Sequence, residues 1–122
     1  MRILAGVEGG EESKIVVENT LERADDAGDS VTFAVFSNPG EEQELESIKT
    51  FVADALADSA VEAEVIEIEG DPASELVSLA ECEAYDQVVV GGGRLTPTGK
   101  RYLGQITEFV VLNSDITVRL ER

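Results

Sequence analysis

The chain has 122 residues, 26 Asp and Glu against 9 Lys and Arg, a formal net charge of −17, and 43% apolar residues without a single histidine. This length supports one domain, 1–122, with a real core, and the apolar share excludes a disordered polyanion. The charge excludes nonspecific nucleic-acid binding, because phosphates would be repelled across most of the surface.

The acids run from Glu8 to Glu121 instead of gathering in a tail. Two readings of them compete: a surface for a basic partner, and adaptation to a cytoplasm of very high salt. The even spread favours the second. The single cysteine, Cys82, excludes an internal disulfide framework and suits a reducing compartment. The opening Met1 to Glu8 is too brief for a signal peptide, and no run approaches the roughly 20 apolar residues of a membrane helix. The expectation is a cytoplasmic protein with neither membrane nor nucleic acid as a partner.

In chain order, Ile3 to Val7 is an apolar run stopped by Glu8-Gly9-Gly10, a buried strand running into a loop. From Glu11 the period becomes helical, through Ile15, Val16, Leu21 and Ala24, and Gly28 ends the segment. Val31 to Phe36 is β-branched and aromatic, a second buried strand, followed by the turn chemistry of Ser37-Asn38-Pro39-Gly40. A second helix is predicted from Glu41 to about Asp58, with Leu45, Ile48, Phe51, Val52, Ala55 and Leu56 on one face. The acids Glu41, Glu42, Glu44 and Glu46 read as its charged start, favoured by the helix dipole, and not as a metal site.

Val61 to Val65 alternates at period two and continues through Ile68, a half-exposed strand near a sheet edge. In Gly70-Asp71-Pro72, Asp71 caps a third helix whose first position is Pro72, and that helix ends near Glu83. Gln87 to Val90 is apolar throughout its centre, which predicts a fourth strand in mid-sheet. Ile106, Phe109, Val110 and Leu112 make a fourth helix ending about Asn113, and Ile116 to Leu120 is a fifth strand. Strands alternating with helices predict an α/β fold: an open five-stranded parallel sheet, right-handed crossovers, helices on both faces.

Two strands end in glycines, the first at Gly9-Gly10 and the fourth at Gly91-Gly92-Gly93. Beyond the second set, Arg94, Lys100 and Arg101 supply three of the nine basic residues. Small residues let backbone N–H groups approach an anion, and cations then complement it, so this loop is a candidate phosphate cradle. If these strands are neighbours, as the order 3-2-1-4-5 makes them, both loops line one crevice at the carboxyl ends of the sheet.

With these features the sequence resembles the universal stress proteins, as a short, acidic member of haloarchaeal type. The resemblance spans almost the whole chain: the Ile3-to-Gly9 opening, Glu69-Gly70-Asp71-Pro72-Ala73, the fourth strand, and Asn113-Ser114-Asp115 before the last strand. The family's nucleotide loop (Gly, two residues, Gly, nine residues, Gly, then Ser or Thr) falls on Gly91, Arg94, Gly104 and Gln105, of which the two glycines match.

What the resemblance implies is a Rossmann-like 3-2-1-4-5 sheet, a homodimer formed through the last strand (Ile116 to Leu120), and ATP or AMP between the first and fourth strands. Glu8 then stands where the family has an Asp beside the nucleoside, followed by Gly9, and Val35 stands at the valine lining the adenine slot. Gly91, Gly93, Gly104 and Gln105 fall to the phosphates. Arg94 replaces a glycine whose bare Cα permits close approach, and Gln105 replaces a hydroxyl. Arg94 and Lys100 add the cations that a phosphate attracts. Two readings of Arg94 stand: side-chain recognition of phosphate in place of backbone recognition, or a guanidinium filling the phosphate site itself. The leading function is a nucleotide-responsive stress or regulatory module without efficient catalysis, and the rival is a dimeric interaction scaffold that has lost its nucleotide.

Other residues read as structural. Cys82 lies between Glu81 and Glu83, a setting that dulls a thiol. Ser13 and Ser114 have no histidine to form a hydrolase triad. Tyr85 and Tyr102 read as packing residues with wet hydroxyls.

Overall fold

The computed structural model describes every residue except 9–10, 38–41, 92–93, 96–97, 99–100, 103 and 122. Within its helices and strands, the side chains of 11–12, 42–44, 94–95 and 101–102 are likewise outside the description. The element order is β1 (Arg2–Glu8), α1 (Glu11–Ala27), β2 (Ser30–Phe36), α2 (Glu42–Ala57), β3 (Ala63–Glu67), α3 (Pro72–Cys82), β4 (Gln87–Gly91), β5 (Arg94–Leu95), β6 (Arg101–Tyr102), α4 (Gln105–Asn113) and β7 (Thr117–Glu121). The main sheet is parallel in the order β3-β2-β1-β4-β7, which is the expected 3-2-1-4-5 arrangement.

The pleat sends alternate residues to opposite faces, so the sheet has two cores. Ile3, Ala5, Val7, Val31, Phe33, Val35 and Val89 pack under α1 and α2 with Val17, Ile48 and Val52. Leu4, Ala34, Phe36, Val88 and Val90 pack under α3 and α4 with Leu76, Ala80 and Val110. Each of these fully buried branched or aromatic side chains contributes about 1.5–3 kcal/mol over its exposed state. Such double-sided burial explains why the central strands read as continuous apolar runs.

Local chemistry sets the element ends. Gly28, at φ +73°, closes α1, with its own N–H and that of Asp29 both donating to the Ala24 carbonyl, at 2.8 and 3.0 Å. Asp71 caps α3 as expected: its carboxylate accepts from the Ser74 N–H at 3.3 Å and the Ser74 hydroxyl at 2.7 Å. Replacing Asp71 by Ala is expected to lower stability by about 1 kcal/mol in a denaturant titration, and an unchanged midpoint would show that Pro72 alone fixes this start. At the other end, Ala84 takes φ +55°, which turns the chain so that Tyr85 enters the core.

Tyr85 corrects one expectation. It is 7% exposed, and its hydroxyl donates to Thr32 Oγ1 at 2.9 Å, while Thr32 donates onward to Glu64 at 3.1 Å. The hydroxyl is therefore satisfied inside the fold instead of by water. Arg2 stacks over the same ring, 4.5 Å from its centroid.

The two sheet edges differ. On the β3 edge, Glu64 and Glu67 are exposed, and Lys49 bridges Glu67 at 3.2 Å and Glu46 at 3.5 Å. The hydrogen bond to Glu67 and then the charge of Glu46 hold the Lys49 pKa above the ordinary lysine range. On the β7 edge, Val118 and Leu120 are half-buried, and the adjoining α4 exposes Phe109, Val111 and Leu112, the last at 72%. Charges blunt the first edge against strand addition, and the second adjoins the exposed apolar side chains of α4.

Candidate functional site: the crevice between β1 and β4

Strand order reverses at β1, whose neighbours β2 and β4 are reached by crossovers on opposite sides. β1 pairs with β2 along its whole length, to Glu8↔Phe36. With β4 it pairs only at Ile3↔Gln87, Leu4↔Val88 and Ala5↔Val89, although β4 continues to Gly91 and β1 to Glu8. The split begins at Gly6. A Cβ there would stand 2.8 Å from Leu76 Cδ1 and 3.4 Å from Val90 Cγ1, so Leu76 of α3 occupies the space beside the bare backbone.

Glu8 stands exposed at the end of β1, on the crevice rim. Gly91 ends β4, and its carbonyl accepts from Thr107 Oγ1 at 3.1 Å, which stitches the first turn of α4 to the strand. Gly104 is the N-cap of α4 at φ −65°, without a side-chain cap bond, and Gln105 follows as an exposed first residue. The N-cap residue itself thus supplies no capping side chain, and a helix start is a place that favours an anion.

The two glycines that match the loop pattern share one property. Among the described residues, a Cβ on Gly91 would meet only Val16 Cγ2, at an ordinary 3.8 Å, and one on Gly104 would meet nothing within 4 Å. Neither glycine lies at positive φ. Among the described residues, backbone strain and internal packing therefore leave both positions open to a side chain.

The remaining candidates divide. Val35 is wholly enclosed with Phe33, Ile48 and Val52. Its side chain, which the resemblance set beside the adenine slot, packs here under α2. Gly9, Gly93 and Lys100 lie outside the described residues, as does the Arg94 side chain. The stretch expected to be a plain loop contains a short antiparallel hairpin, with Arg94 of β5 opposite Tyr102 and Leu95 opposite Arg101 of β6. Two-residue strands carry too little periodicity to be read from a sequence. Thr107 was also missed. With Gln105 at the hydroxyl position, the nearest hydroxyl in α4 is two residues on, and it turns to Gly91.

A parallel sheet with its crevice at the reversal point, bordered by Gly91 and the start of α4, defines a doubly wound α/β domain of Rossmann-like type. The chain belongs to the universal stress protein family: the sequence model for "Universal stress protein family" matches residues 1–120. A universal stress protein of Methanothermobacter thermautotrophicus is 43% identical over 54 residues, which is 44% of this chain and 36% of that relative, so the match spans about a third of its length. The solved universal stress protein of Archaeoglobus fulgidus superposes with a TM-score of 0.82 at 18% identity, covering 100% of this chain and 98% of that one. A universal stress protein solved in complex with cAMP superposes at 0.77 with 26% identity, covering 98% and 94%. Among the described residues, no group of three His, Cys, Asp or Glu could hold a metal, and no helix is long and apolar enough to cross a membrane.

Proposed function

We propose that this protein binds an adenine nucleotide, ATP or AMP, in the crevice between β1 and β4 and acts as a nucleotide-responsive stress or regulatory module without efficient catalysis. The observation that carries this reading is the pair of glycines, Gly91 and Gly104, at the exit of β4 and the start of α4, both open among the described residues. The relative solved with cAMP supports it, since that structure shares both the fold and 26% of its residues with this chain.

In this reading the phosphates lie over the α4 amides, where the helix dipole offsets negative charge that the acidic surface would otherwise repel. Arg94 and Lys100 add cations to them, and Glu8 faces the sugar. The commonest general base, histidine, is absent from the chain, which accords with a module that does not turn its nucleotide over efficiently. The setting is a reducing, salt-rich cytoplasm.

Nucleotide released on denaturing protein purified in molar KCl, identified by mass, tests occupancy directly. Calorimetry should then show ATP binding weakened about tenfold or more by Arg94→Ala, the effect of losing a charge-assisted contact to phosphate. Tighter binding by the variant would mean that the guanidinium fills the site. No binding by either protein would remove the nucleotide reading in favour of the scaffold.

The β7 edge and the exposed apolar side chains of α4 beside it favour a homodimer through that strand. Light scattering in molar KCl is expected to read twice the mass of one chain, and a monomer would end this part of the proposal.

A further inference from the structure

Among the described residues Glu121 is the buried acid: it is 6% exposed, in a chain whose other described acids lie nearer water. Burying a carboxylate is costly unless it is paired. The pairing comes from two elements: Asn19 Nδ2 of α1 donates to Oε2 at 3.2 Å, and Oε1 lies 3.2 Å from Arg23 Nε of α1 and 2.7 Å from Arg119 Nε of β7 itself. Arg119 Nη1 donates in turn to Gln87 Oε1 at the start of β4, at 2.9 Å.

The short Arg119 contact is one of charge, since its N–H is not aligned with the oxygen and, among the described residues, neither Nε nor Nη2 has a hydrogen-bond acceptor. So 26 acids share nine cations, and two of the nine converge on this single carboxylate. In the sheet, Glu121 is the register partner of Gly91, the residue from which the glycine loop leaves. The helix that holds Glu121 begins just after the β1 end of the crevice.

We propose that Glu121 is a positioning residue for the crevice: its charge clasps β7 to α1, fixes the end of β4 between them, and couples the nucleotide site to the exposed edge of the sheet. This rests on the crevice being the nucleotide site. Glu121 touches no nucleotide in this scheme and acts through Gly91 and α1. The charge is the operative feature, because the geometry at Arg119 is that of an ion pair and not of an aligned hydrogen bond.

Glu121→Gln keeps the shape and removes the charge. Arg23→Gln removes one partner that is 62% exposed, and so leaves the core intact if the first variant folds poorly. Amide hydrogen exchange of the ligand-free proteins is expected to accelerate at 89–91 and 118–120 about tenfold more than at 31–35 of β2 in Glu121→Gln. Arg23→Gln should give the same pattern more weakly, and should add little when combined with Glu121→Gln. AMP affinity, by calorimetry, should fall about fivefold in Glu121→Gln.

Equal acceleration in β2 would reduce Glu121 to general stability and overturn the proposal, as would unchanged exchange at 89–91. AMP binding that is equal in wild type and variant would overturn the coupling. A wild type that binds no AMP, with the local exchange pattern still present in the variants, would refute the nucleotide reading while upholding the clasp of β7 to α1 and β4.

Discussion

Raising KCl from about 0.1 to about 3 M is expected to lift the thermal midpoint by roughly 10 °C or more, as the screening length falls from about 10 Å to below 3 Å. The formal charge of −17 is carried by acids on nearly every surface element, so the folded chain repels itself in dilute buffer. The helices add to this. None of the four has a basic residue in its last turn, and α1 ends on Asp25 and Asp26. Acids beside the negative end of a helix dipole are unfavourable until salt screens them. The opposing effect is loss of surface pairs such as Lys49 with Glu46, which contribute little to begin with. Repulsion therefore decides the sign. A midpoint that is flat or falls with KCl would show that the acids serve a basic partner instead.

The second large effect is expected at Gly6. Adding one methyl group there should destabilise the fold by about 1–3 kcal/mol, because the new Cβ would lie 2.8 Å from Cδ1 of the fully buried Leu76, which would have to shift within the core. Leu76→Val alone, which shortens the opposing side chain, should cost about 1 kcal/mol through the space it leaves. Combining the two should cost less than their sum, since each relieves the other. Denaturant midpoints of the four proteins in high salt would measure this. Simple additivity would mean that Val90, at 3.4 Å, resists the methyl group in place of Leu76. The same contact has a functional side. Gly6 is where β1 parts from β4, so a residue that pushes Leu76 away also reshapes the floor of the crevice.

Much of the fold was legible because its signals are local. Asp71-Pro72 announced a helix start, Gly28 a helix end, and the run Val88 to Val90 a strand buried on both faces, and each feature has the geometry its chemistry implied. The edge position of β3 was legible too, although the strand is Ala63–Glu67 and its burial does not keep the alternation read from Val61 to Val65, since Val65 is exposed beside Glu64. The last strand lies one residue further on than its apolar pattern suggested, at Thr117–Glu121, because burial of Glu121 extends the ladder past Leu120. The crevice was legible only in part. Gly91 and Gly104 stand where the loop spacing placed them. The Val35 side chain packs under α2, and Thr107 entered unannounced, because a sequence does not say which face of a strand or helix meets a neighbour until register is known.

By itself, the sequence determined the alternation of strands and helices, the acidic surface, the family and the position of the glycine loop. All of these are written in composition, period and spacing along a contiguous stretch. Only the tertiary structure decided that β1 and β4 part at Gly6, that Leu76 fills the gap, that the Tyr85 hydroxyl turns inward to Thr32, and that Glu121 is drawn between Arg23 and Arg119. Each of these joins residues far apart in the chain, and their energies come from packing and charge pairing that exist only once the sheet has brought the partners within contact distance.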